Sequence, residues 1–149
     1  MRTILFIALA ILSTSCVSTI RVPGSNRGDN TVIIKTTDHH DVAYRKIGQL
    51  LVNNGFNLLN SDRDLGSITT DNKYIGKMSA QWLMKASVII TGENNATIFI
   101  TGQYNRSREN PWRRLENKGL KGSITQVGWN ELYSVAQQYD GATIEFEER

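Results

Sequence analysis

Two stretches of the chain alternate apolar and polar residues with a period of two. Ala86, Val88 and Ile90 recur at every second position in one, Ala96, Ile98 and Ile100 in the other, with Ser87, Thr97 and Thr101 at intervening places. Such alternation sends one set of side chains to each face of a β-strand. It predicts strands over Gln81–Thr91 and Ala96–Tyr104, joined by a hairpin turn at Gly92-Glu93-Asn94-Asn95. Helical spacing replaces it in two other places. Ala43, Ile47, Leu50 and Leu51 predict a helix from Val42 to Asn54, with Asp38 or Asp41 as its N-cap and Gly55 where a C-terminal cap belongs. Trp129, Leu132, Tyr133 and Ala136 predict a second helix that stops at Asp140-Gly141.

Shorter signals complete the order. The β-branched run Val32–Lys35, then Phe56–Leu59, Ser67–Thr70 and Ala142–Phe146, predict strands, with a turn at residues 62–66. Residues 71–80 give no clear period, and 106–121 predict a long polar loop. The result is an α+β fold in two layers: an antiparallel sheet with two helices packed on one face, in the order β-α-β-β-β-β-α-β. The other face would carry Thr, Ser, Lys and Gln, either wet or meeting a partner. Trp82 and Trp129 are expected in the core.

The start of the chain follows no such period. Met1-Arg2-Thr3 is short and basic, and Ile4–Leu12 is an unbroken run of nine apolar residues. As a helix that run covers roughly 14 Å, about half a bilayer's hydrocarbon core, so it predicts a secretory signal and not a span. Ser13, Thr14 and Ser15 then precede Cys16, the one cysteine in the sequence. These sixteen residues resemble the signal of bacterial lipoproteins, in a relaxed form with Ser13 where Leu is usual. The resemblance implies removal of residues 1–15 and acylation of Cys16. It also implies a membrane-anchored protein of the cell envelope, on the periplasmic face of the outer membrane. Two or three acyl chains, at about 0.8 kcal/mol per buried methylene, hold such a protein on the bilayer. The other reading is an ordinary cleaved signal with Cys16 as an incidental thiol. Residues 16–31, with Pro23-Gly24-Ser25-Asn26 and Arg27-Gly28-Asp29-Asn30, predict a flexible tether, and 32–149 a single domain.

A second resemblance rests on Gly55-Phe56, Asp62-Arg63 and Gly66-Ser67-Ile68-Thr69. With the helix before them, they are similar to the helix-grip domains of the lipoprotein C of the outer-membrane barrel-assembly machine. The likeness covers residues 42–70 and implies the fold and a scaffolding role, without a binding site.

Charge excludes one class of partner. The 149 residues hold 17 Lys and Arg against 14 Asp and Glu. Without Arg2, Arg21, Arg27 and Asp29, residues 31–149 keep 14 basic against 13 acidic. So even a balance argues against nucleic acid, which needs clustered cations to neutralise phosphates. A lone cysteine leaves no intramolecular disulfide and no multi-cysteine metal site. Asp38-His39-His40-Asp41 is the one local cluster of metal-capable side chains, but neighbours at a helix start diverge, so it is read as a cap; no metal, other cofactor or catalytic residue is assigned. No Gly-x-Ser-x-Gly or phosphate-loop spacing is present.

The unusual segment is 105–118, where Arg106, Arg108, Arg113, Arg114 and Lys118 outnumber Glu109 and Glu116 around Pro111-Trp112. Trp and Arg are enriched where proteins dock. Arg106, Arg108, Trp112, Arg113 and Arg114 are therefore the candidate interaction loop, with Trp112 exposed at its tip and an anionic partner favoured. In the opposing reading Trp112 folds back over the core and the arginines stay solvated. The expected function is a protein-interaction or scaffolding module of the cell envelope with an envelope protein as partner. The alternative is a small-ligand or lipid-binding module using a cleft between helix and sheet. A hydrolytic enzyme is the least favoured.

Overall fold

The computed structural model describes residues 22–76, 82–106 and 111–149. In chain order its elements are β1 (Thr31–Lys35), α1 (His40–Asn53), β2 (Leu58–Asp62), β3 (Ser67–Thr70), β4 (Lys73–Ile75), β5 (Trp82–Thr91), β6 (Thr97–Asn105), β7 (Arg113–Arg114), α2 (Ile124–Gln137) and β8 (Thr143–Glu147). The strands form one antiparallel sheet in the order β2-β3-β5-β6-β1-β8, with β4 paired to the start of β5 and β7 to the end of β6. This is the expected two-layer α+β fold. Two short strands, β4 and β7, extend the expected order. At three and two residues they are too brief for a period to register.

The long hairpin sets the register. Ala86 faces Gly102, Val88 faces Ile100 and Ile90 faces Ile98, while β1 adds Val32 opposite Ile100 and Ile34 opposite Ile98. All of these apolar side chains are buried, under Ala43, Ile47 and Leu51 of α1 and Trp129, Leu132, Val135 and Ala136 of α2. Trp129 is in the core as expected; Trp82 is only half-buried, packed at the core's edge.

Local chemistry fixes the helix ends. The α1 C-terminus closes with Gly55 N–H donating to Val52 O and Phe56 N–H to Leu51 O. Gly55 takes a φ of +79° and Phe56 tucks into the core. That reciprocal pair defines the left-handed glycine cap. The N-cap differs from expectation. It is His39, whose Nδ1 accepts from Asp41 N–H, because both neighbouring aspartates are engaged elsewhere. Asp41 makes a two-pronged ion pair with Arg63 in the β2–β3 turn, Nε donating at 2.7 Å and Nη2 to the other oxygen. Arg63 thus ties the helix start to the turn.

Leu115, just past β7, joins the two layers. It is fully buried, and its N–H donates to Gly102 O at 2.9 Å. A Cβ built on Gly128 of α2 would lie 2.5 Å from Leu115 Cδ1, and one on Gly102 would lie 3.2 Å from Cδ2. Two glycines, one in the helix and one in the strand, therefore make the slot that Leu115 fills.

The boundary of the folded unit also differs. Residues 22–30 were expected within the tether, yet they are packed on the domain. Val22 belongs to the core cluster, and Asp29 and Asn30 are buried. Asn117 holds the segment: its Nδ2 donates to Ser25 Oγ at 2.8 Å and to Asn26 O at 3.0 Å, and its backbone exchanges bonds with Gly28 and Asp29. The cause is polar satisfaction. A buried Asn with both ends of its amide occupied fixes two strands of chain that no periodicity marks. The expected leader, residues 1–15, and Cys16 lie outside the described residues.

Candidate functional site

Strand β7 divides the predicted loop. Arg113 pairs with Tyr104 and Arg114 with Gln103, so successive arginines leave opposite faces of the sheet. The loop is therefore two sites. Arg108 lies outside the described residues.

Arg114 and Trp112 go to the face without helices. Trp112 is half-buried there, with Lys85 Nζ 4.5 Å from its ring centroid. It neither projects as a tip nor covers the core; it lies against β5, and its ring carries a cation. The rest of this face is ordered by register. Ile89, Phe99 and Ile33 stand opposite one another on β5, β6 and β1, forming an apolar bar across the sheet. On one side runs Thr91, Thr97, Lys35 and Thr143; on the other Thr69, Ser87, Thr101 and Thr31. Ile89 is 54% exposed. The Arg149 guanidinium lies 4.3 Å above Phe99, and Lys35 pairs with Glu145 at 2.7 Å on the rim. A groove of about 350 Å³ follows the bar between Arg114 and Arg149. The expected Thr, Ser, Lys and Gln are all present; the bar was missed. Its signal is in the sequence, since Val88-Ile89-Ile90 and Ile98-Phe99-Ile100 are apolar at both parities, the mark of a strand with two apolar faces.

Arg113 goes the other way, to a cleft at the end of the sheet under the start of α2. The cleft holds about 230 Å³ and is lined by Trp82, Tyr104, Asn105, Arg106, Pro111, Arg113 and Ile124. The Trp82 and Tyr104 rings meet at 5.8 Å between centroids, tilted by 49°. Both arginines are exposed and, among the described residues, neither meets a carboxylate. The expected cleft between helix and sheet exists at one edge, where Tyr44, Gly48 and Val52 of α1 and Leu58, Ser61 and Ile68 of β2 and β3 line a groove of about 370 Å³; farther in, Ala43, Ile47, Leu51 and Leu132 fill the space between the layers.

The acid–histidine segment does not converge. His39 caps α1, and His40 packs against Gly66, where a Cβ would come within 2.6 Å of its Nε2. Asp38 binds Lys46 at 2.7 Å and receives the Tyr139 hydroxyl at 2.8 Å; these two bonds hold its carboxyl below the usual range. Burial, then the Asp38 partner, pushes the Tyr139 phenol up. The Arg63 bond likewise lowers Asp41. Among the described residues, no three His, Cys, Asp or Glu side chains gather as for a metal. Arg27-Gly28-Asp29 is a turn whose acid is consumed: Asp29 Oδ2 accepts from Asn26 N–H at 2.6 Å and from Ser25 Oγ.

No family model matches the chain, and no curated protein matches it significantly. No helix among the described residues is long and apolar enough to cross a membrane.

Proposed function

We propose that this chain is a lipid-anchored protein of the cell envelope, acylated at Cys16. Its domain docks an envelope protein on the sheet face that carries no helix. The lipoprotein-like sequence ending at Cys16 supports the anchor and the periplasmic side of the outer membrane. The apolar bar Ile89–Phe99–Ile33 carries the docking reading. The core on the other side is already filled, so the bar is not needed for packing between layers, yet it exposes Ile89 between two rows of hydroxyls. An apolar centre with a polar rim is the anatomy of a protein interface. Catalysis has no part in this reading: the two histidines are engaged in capping and packing.

Two measurements test it. Membrane fractionation of a Cys16→Ser chain tests the anchor; unchanged retention on the membrane refutes it. A photocrosslinker at Ile89 should capture a protein that the same group at Gln49, on α1, does not, and Phe99→Lys should abolish that capture. Equal capture at Gln49, or capture indifferent to Phe99→Lys, removes the docking reading.

A further inference from the structure

We infer that the cleft at the end of β6 is a binding site for a phosphate monoester, with Arg106 and Arg113 on the phosphate and the Trp82–Tyr104 pair beside the organic part. This goes beyond the docking reading and uses other residues, so each stands or falls alone.

Arg106 lies two residues beyond Tyr104, and Arg113 is Tyr104's partner across the strands, so both guanidiniums rise from one edge of the cleft. Among the described residues, no acid neutralises either of them, whereas Lys35, Lys46, Arg63, Lys73, Lys118 and Arg149 each have a carboxylate within 4.0 Å. Ile124, the first residue of α2, also lines the cleft, and the first turn of that helix carries no acidic residue. A helix N-terminus adds roughly half a positive charge. Two guanidiniums and a helix end together match a dianion better than a single carboxylate. Guanidinium forks also suit the oxygens of phosphate. The remaining wall is Trp82, half-exposed, and Tyr104, with Asn105 and Pro111 beside them. It offers a ring-lined apolar surface to whatever the phosphate is attached to. At about 230 Å³ the cleft admits a phosphorylated small molecule or one lipid headgroup, and not a folded partner.

The test follows the Trp82 indole N–H by NMR in the full chain held in an uncharged maltoside, assigned with Trp82→Phe. Inorganic phosphate, phenyl phosphate, benzoate and a short-chain phosphatidic acid are titrated separately. Phenyl phosphate is expected to move the signal saturably and more tightly than inorganic phosphate, with benzoate weaker. Arg106→Gln and Arg113→Gln should each weaken it at least about tenfold, as loss of a charge-assisted bond to phosphate does. Arg114→Gln, on the opposite face, should leave it unchanged. A stronger response to phosphatidic acid than to phenyl phosphate assigns the source to lipid headgroups, and the reverse assigns it to a soluble ester. The inference is overturned if no phosphate shifts the signal, if benzoate binds as tightly as phenyl phosphate, or if Arg114→Gln weakens binding as much as Arg113→Gln.

Discussion

The slot that holds Leu115 makes a quantitative claim about how the layers are joined. Leu115→Ala empties a space lined by Gly102 and Gly128, neither of which has a side chain to swing inward. Such truncations cost about 2–5 kcal/mol according to how far the site collapses. The backbone of the two glycines cannot move in, whereas the Leu132 and Ile75 methyls at the border can shift, which places this one in the middle of the range, about 3–4 kcal/mol. Against a total of about 5–15 kcal/mol for a domain, that is a severe loss. Gly128→Ala acts oppositely, setting a methyl 2.5 Å from Leu115 Cδ1. Overpacking costs about 1–3 kcal/mol, offset by about 1 kcal/mol from replacing a helical glycine with alanine. In the double variant the new methyl enters the vacated space. It should therefore be more stable than the sum of the singles requires, with a coupling of about 1–2 kcal/mol. Urea unfolding of the four proteins by circular dichroism gives the cycle, provided m stays constant. Additivity to within about 0.5 kcal/mol would show that Leu115 does not fill the space between the glycines.

Two further outcomes are expected. Asp38 and Asp41 have lowered folded-state pKa values, so their contribution is complete above the ordinary carboxylate range and is lost as pH falls through the folded values. The thermal unfolding temperature should therefore fall on acidification, and Asp41→Asn should flatten that limb; a parallel fall in the variant would refute the Arg63 tie as its source. Asn117→Ala removes the amide that holds residues 22–30, so trypsin should cut after the exposed Arg27 much faster than in the parent, with the rest of the domain intact. Equal cutting rates would show that other contacts hold the segment.

The sequence made the long elements legible because repetition carries them. Ten residues of β5 and nine of β6 repeat their period several times, and both helices show an apolar stripe and a capping residue. What escaped was decided by single contacts across the chain. His39 caps α1 because Asp41 is drawn away by Arg63, 22 residues on. The packing of residues 22–30 rests on partners far along the chain: the amide and backbone of Asn117, about ninety residues away, and the bonds of Asn30 to Glu147 and Arg149. The candidate loop was legible in composition, since Arg106, Arg113, Arg114 and Trp112 do line surfaces, but not in geometry. The pairing of Arg113 and Arg114 with β6 sends them apart, and a two-residue strand announces nothing in advance.

The packed segment 22–30 sets how far the domain can travel. Six Cα steps separate Val22 from Cys16, and at about 3.3–3.6 Å per residue they reach roughly 20 Å when drawn straight. Under the proposed acylation at Cys16, that radius would keep the molecule skimming the bilayer and make its search nearly two-dimensional. Chain entry is at the end of the sheet where β1 begins and β6 finishes, the end that also bears Arg106, Arg113 and Arg114. Short reach raises the effective concentration of whatever lies in the same membrane and removes from contention anything farther than the leash extends. Under the proposed acylation at Cys16, the binding partners belong within one protein diameter of the lipid surface.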